Sequence, residues 1–177
     1  MKKRLSMYLL LAYTFLISPI PLANAAESLC TSGEIVVFTC QTPKKIASVC
    51  ASPKFGPDTG YLQYRFGELG KIELTLPGTE TPPAKSAQKG IWSFAGGGGA
   101  YMRFAGENNT DYFVYSAIGK WGMGGEITDV AGIYVQKDAK AIINIKCRRP
   151  FGDGEMGPDF FDKAGIPEFD KDFELPE

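Results

Sequence analysis

Between Ala100 and Cys147 the chain presents strand after strand with almost nothing else between them. The runs are Ala100-Tyr-Met-Arg-Phe104, Asp111-Tyr-Phe-Val-Tyr-Ser116, Gly132-Ile-Tyr-Val-Gln136 and Ala141-Ile-Ile-Asn-Ile-Lys-Cys147. Gly, Asn or Asp breaks separate them. β-Branched and aromatic residues at hairpin spacing predict an antiparallel meander.

The lead-in has the same grammar. Glu34–Cys40, Ile46–Cys50, Tyr61–Phe66, Lys71–Leu76 and Gly90–Phe94 all read as strands, and Lys71–Leu76 alternates apolar and polar cleanly. No segment sustains a 3.6-residue period. About eight or nine short strands predict an all-β fold, a small barrel or sandwich, in which closure would remove exposed edges. Residues 77–89, with three prolines, form a surface excursion or a linker between two halves. The resemblance of Gly60–Gly67 to Gly99–Phe104 is read as two hairpins solving one packing problem, ahead of an old duplication. Gly96 to Gly99 lead into a strand and not a helix, so they predict a bulge, corner or close backbone approach in place of a phosphate cradle.

The first 25 residues read as a secretory signal peptide. Lys2, Lys3 and Arg4 precede an apolar run, and Ala23-Asn24-Ala25 has the small-x-small form of a cleavage site. The apolar run is shorter than the roughly 20 residues of a membrane span, so no stable membrane anchor is expected. Leu29 is too bulky to precede an acylated Cys30. Removing three basic residues takes the formal charge from -1 to about -4. A mildly acidic chain without a basic block argues against nucleic acid and against a charged membrane surface.

All four cysteines, Cys30, Cys40, Cys50 and Cys147, follow that segment. An even count in an exported chain implies two disulfides with three possible pairings. Their spacing does not suit a zinc site. The preferred pairing joins Cys40 to Cys147, first strand to last, and Cys30 to Cys50.

The chain contains no histidine. That removes the commonest general base, the commonest metal ligand and every imidazole triad. Ser86-Ala-Gln-Lys89 is an isolated Ser-x-x-Lys without companion motifs. Glu73, Asp111 and Glu126 are candidate paired carboxylates for glycoside hydrolysis, though each sits where solvated carboxylates are ordinary. No catalytic residue, metal or cofactor is assigned. Asp153, Glu155, Asp159 and Asp162 do not match a calcium-loop spacing.

The loop Gly119-Lys-Trp-Gly-Met-Gly-Gly125 is the strongest candidate binding feature. Trp121 and Met123 are large apolar groups among glycines, the kind that anchor a partner. Tyr115, Ser116 and Lys120 are expected to hydrogen-bond around them. The competing expectation is that Trp121 plugs one end of the barrel. Residues 26–150 are read as the all-β domain. Residues 151–177 are read as an acidic tail carrying five phenylalanines, which either packs back or stays disordered. Disorder is expected in at least its final dozen residues.

The runs Gly60-Tyr-Leu-Gln-Tyr-Arg-Phe-Gly67 and Asp111–Ser116, with the ending Ala131-Gly-Ile-Tyr-Val to Ile145-Lys-Cys147, resemble a family of small secreted proteobacterial proteins of unknown function. The resemblance covers most of Cys30–Cys147 but not the tail, and implies a bacterial exported protein. A looser likeness is to the periplasmic inhibitors of c-type lysozyme, small eight-stranded barrels that push a loop into the lysozyme cleft. This chain is longer, has two more cysteines and lacks their Ser-Gly loop, so no inhibitory residue is carried across. The expectation is a non-catalytic binding protein, periplasmic or secreted, with a protein partner in the cell envelope, of inhibitor or immunity type. The alternatives are an envelope-associated structural module docking through its tail, and a carboxylate-dependent hydrolase.

Overall fold

The computed structural model describes residues 27–121, 123–152 and 154–174; the targeting segment read at 1–25 lies outside them. Ten strands form two five-stranded antiparallel sheets. The first sheet holds β1 (Ile35–Gln41), β2 (Ile46–Ala51), β3 (Leu62–Glu68), β4 (Lys71–Leu76) and β10 (Arg148–Gly152), in the order β10-β1-β2-β3-β4. The second runs in chain order through β5 (Gln88–Phe94), β6 (Gly97–Ala105), β7 (Thr110–Gly119), β8 (Thr128–Lys137) and β9 (Lys140–Lys146). The fold is a sandwich, not the single barrel that the lysozyme-inhibitor likeness implied.

The period of two selects what lies between the sheets. Phe38, Ala47, Val49, Leu62 and Tyr64 of the first sheet share one buried cluster with Met102, Phe104, Val114, Ile133 and Val135 of the second. The proline-rich excursion is where the chain passes from one sheet to the other. It contains the single turn α1 (Pro83–Ser86). Both halves therefore contribute to one core.

Each outer face is covered by one end of the described chain. On the first sheet, Ser48, Gln63 and Arg65 point away from the core yet are buried. The segment from Glu27 to Glu34 lies over them. Leu29 N donates to Ser48 Oγ at 3.0 Å, Leu29 O accepts from Arg65 at 3.2 Å, and Cys30 is bonded to Cys50. The second disulfide, Cys40–Cys147, ties β1 to the end of β9 across the sandwich.

The boundary read at residue 150 does not mark an edge of the packed unit. β10 pairs antiparallel with β1, Thr39 opposite Gly152. A short helix, α2 (Pro158–Ala164), then places Phe160, Phe161 and Ala164 in the central cluster, followed by Ile166. Pro158 supplies a preset first helical turn, and Gly165, in the left-handed region at φ 62°, caps its end. Where disorder was expected, residues 166–174 also pack, with Phe169 and Phe173 against the outer face of the second sheet. Seven helical residues are too few for a 3.6-residue period to declare itself, and the acidic residues of the tail hid the apolar side of residues 166–174.

Candidate functional site

The second sheet extends past the core at the end where β5 turns into β6 and β7 leads to β8. Five of the large apolar side chains that remain exposed gather there: Ile91, Phe94, Ile118, Trp121 and Ile127. The register places them together. Ile91 lies opposite Ala100, Phe94 opposite Gly97, Ile118 opposite Gly98, and Gly119 opposite Thr128. The glycines of β6 are part of the strand and allow close approach. A Cβ at Gly97 would overlap the Ile118 carbonyl, and one at Gly99 would lie 2.6 Å from the Ser116 carbonyl.

On the side facing the core, this end forms a cleft of about 660 Å3. Ile91, Gly98, Ser116, Ile118 and Asp129 line one side, and Met156 and Pro158, at the start of α2, line the other. On the opposite side Trp121 lies across Gly119, with its ring 5.3 Å from that of Phe94. Trp121 thus does not plug the space between the sheets. It stays 37% exposed on the outer side of the projecting end.

The sequence candidates do not converge on one point. Tyr115 and Ser116 are neighbours in a strand and point to opposite faces. Ser116 lines the cleft, whereas Tyr115 is buried in an aromatic layer on the outer face. Lys120 is exposed and runs its aliphatic stem beside Gly96. Met123 begins a short 3-10 turn, Met123–Gly125. Sequence reasoning missed Ile91, Phe94 and Ile118. For Phe94 and Ile118 the signal was the facing glycines, Gly97 and Gly98, which leave these side chains little to bury against.

The aromatic layer is the second notable surface. Tyr101, Phe113 and Tyr115 form its buried floor, with Trp92, Tyr134, Phe169 and Phe173 around them. Tyr101 lies in a notch left by Gly90 and Tyr115 in one left by Gly132; a Cβ at either glycine would overlap the tyrosine. Such cross-strand aromatic–glycine pairs hold the rings flat on the sheet. Burial pushes both tyrosine pKa values up, and Glu168 and Asp172 add to the effect at Tyr101.

The carboxylates considered for hydrolysis are separately engaged or exposed. Glu73 is paired with Lys45. Asp111 receives hydrogen bonds from Arg103 and Gln136. Glu126 is exposed on the loop. Among the described residues, Cys30, Glu34 and Cys50 are close enough together to suggest a metal site. The two sulfurs are bonded to each other and Glu34 is held by Arg65, so the group offers no ligand set.

The molecule is a disulfide-tied all-β sandwich with a projecting apolar end. Comparison with protein-family models, curated proteins and solved structures yields no match. Among the described residues no helix is long and apolar enough to cross a membrane.

Proposed function

We propose that this chain is an exported bacterial binding protein without catalytic activity, working in the periplasm or outside the cell as an inhibitor or immunity-type protein against a cell-wall-directed enzyme. The observation that carries the reading is the projecting end of the second sheet. Ile91 and Ile118 remain exposed in an open cleft there, Phe94 and Trp121 on the opposite side of the same end, and Ile127 in the adjoining loop. Large apolar groups gathered on a rigid, disulfide-tied scaffold are the usual make-up of a protein-binding hot spot. The two disulfides accord with an oxidising compartment. The engaged state of Glu73 and Asp111 favours this reading over hydrolysis.

The test is titration of the oxidised protein against a panel of muramidases and other peptidoglycan-cleaving enzymes. The expected result is stoichiometric inhibition of one of them, lost in Trp121→Ala and Ile118→Asp variants whose melting temperatures stay near wild type. Inhibition that survives both substitutions would move the site elsewhere. No inhibition anywhere in the panel would overturn the inhibitor reading.

A further inference from the structure

The C-terminal segment meets the second sheet as a bound peptide meets a receptor. Two main-chain hydrogen bonds join it to β5 in parallel sense: Lys89 N donates to Pro167 O at 2.9 Å, and Phe169 N to Lys89 O at 2.7 Å. The segment then crosses the outer face, and Trp92 Nε1 donates to the Phe173 carbonyl at 2.7 Å. Two rings, four positions apart, enter the aromatic layer. Phe169 sits 5.6 Å from Phe113, with the Arg103 guanidinium 5.4 Å from its centre. Phe173 stacks on Phe113 at 4.1 Å and touches Tyr101 at 4.9 Å and Tyr134 at 5.3 Å. Glu168, Asp170, Asp172 and Glu174 between and beside these rings are exposed, and the segment bends at Asp170 and Lys171. Lys89 pairs with Glu168 at 3.3 Å. Main-chain pairing at a sheet edge combined with side-chain pockets is the strand-addition mode of peptide recognition.

Two features separate this face from ordinary core packing. The glycine notches at Gly90 and Gly132 hold Tyr101 and Tyr115 through the sheet itself, independently of the tail. In the same aromatic layer, beside Trp92 and over Gly132, the Tyr115 hydroxyl is buried with no hydrogen-bond partner among the described residues. The tail therefore fills the apolar part of the site and leaves a donor unused.

We propose that this face is a peptide-binding site for an acidic segment of a partner protein, with two aromatic residues four positions apart, and that residues 167–174 are its competitor in cis. A partner segment that brings a carbonyl or carboxylate to Tyr115 gains a hydrogen bond that the tail does not make. Exchange of tails between two copies would only remake the contacts already present in each, against an effective concentration of about millimolar for the tethered segment. The site is distinct from the projecting end and does not depend on the function proposed for it.

The test uses the full oxidised chain and a fluorescein-labelled peptide of residues 166–177, followed by anisotropy. A Phe169→Ala/Phe173→Ala chain, its own tail weakened, is expected to bind the peptide saturably. Wild type should bind it roughly tenfold or more weakly because its tail competes. A peptide with both phenylalanines replaced should not bind either chain. A double variant with native circular dichroism and both disulfides, yet no saturable binding, would overturn the proposal. Hydrogen exchange on wild type tests it without relying on a variant. The Lys89 and Phe169 amides should exchange about 100-fold faster than that of Val114, through local opening of the tail. Equal protection at all three would make the tail part of the global folding unit and overturn its role as a competitor. A stable wild-type dimer at micromolar concentration would overturn the partner as the source and assign the segment to a second copy.

Discussion

Arg65 grips Glu34 with both arms of its guanidinium, Nη1 to Oε2 at 2.8 Å and Nη2 to Oε1 at 2.7 Å. The pair joins the segment before β1 to the middle of β3, and only 3% of the Glu34 side chain is exposed. Burial pushes the Glu34 carboxyl up. Hydrogen bonds from Arg65, from the Thr31 N–H and hydroxyl and from Tyr61 outweigh that, and hold its pKa at about 2. A carboxyl below its ordinary 4.5 stabilises the fold fully above that value. The contribution falls as pH drops from 4.5 and is gone below about 2. Glu34→Ala should destabilise the protein by about 3 kcal/mol at neutral pH, because Arg65 is left buried without its counter-ion. Calorimetry should show the gap between wild type and variant narrowing from pH 5 to pH 2. A gap that stays constant over that range would contradict this account.

The two disulfides close loops of different length, with sequence separations of 107 for Cys40–Cys147 and 20 for Cys30–Cys50. In the chain-entropy model the longer closure stabilises by about 4 to 5 kcal/mol and the shorter by about 3. Urea titrations of Cys40→Ala/Cys147→Ala and Cys30→Ala/Cys50→Ala should therefore rank the first as the greater loss. The reverse order would mean that pinning the segment over Ser48 and Arg65 outweighs loop closure.

The strands were legible because core-facing and outward-facing residue types alternate along them even where a chain end covers the outer face. Tyr61–Phe66 and Gly132–Gln136 are examples. β10 was not legible, since Arg148-Arg-Pro150 reads as a strand end and only pairing with β1 makes it a strand. The tail carried a usable signal that its charge obscured: Phe169, Lys171 and Phe173 alternate strictly with four acids. The candidate site was half legible. Trp121 is surface-exposed as an anchor should be, but proximity in sequence wrongly grouped Tyr115 with Ser116, which lines the cleft. A strand sends neighbours to opposite faces, and Trp92, which shares the aromatic layer with Tyr115, is distant from it in sequence.

Gly119 decides where Trp121 lies. A Cβ at that position would overlap the indole ring, so Gly119→Ala should lift Trp121 off the sheet and away from Phe94. In a Trp92→Phe background, which leaves Trp121 as the sole tryptophan, the emission maximum should shift to the red and iodide quenching should rise. The stability cost should stay near 1 to 2 kcal/mol, that of a modest overpacking at a partly exposed site. An unchanged spectrum would mean that Trp121 does not rest on Gly119 in solution.

Tyr115 offers a more informative substitution because its predicted sign is unusual. A buried hydroxyl without a partner costs roughly 1 to 3 kcal/mol in desolvation. Tyr115→Phe removes that cost while keeping the ring over Gly132 and against Trp92, 6.3 Å away. Most core substitutions destabilise; this one should be neutral or raise the melting temperature by about 2 to 4 °C. Burial pushes the phenol pKa up, so the hydroxyl remains a donor at neutral pH and the gain should not vary between pH 6 and 8. A loss of more than about 1 kcal/mol would show that the hydroxyl already has a partner in the free protein. It would then not be the unused donor that an incoming peptide could exploit.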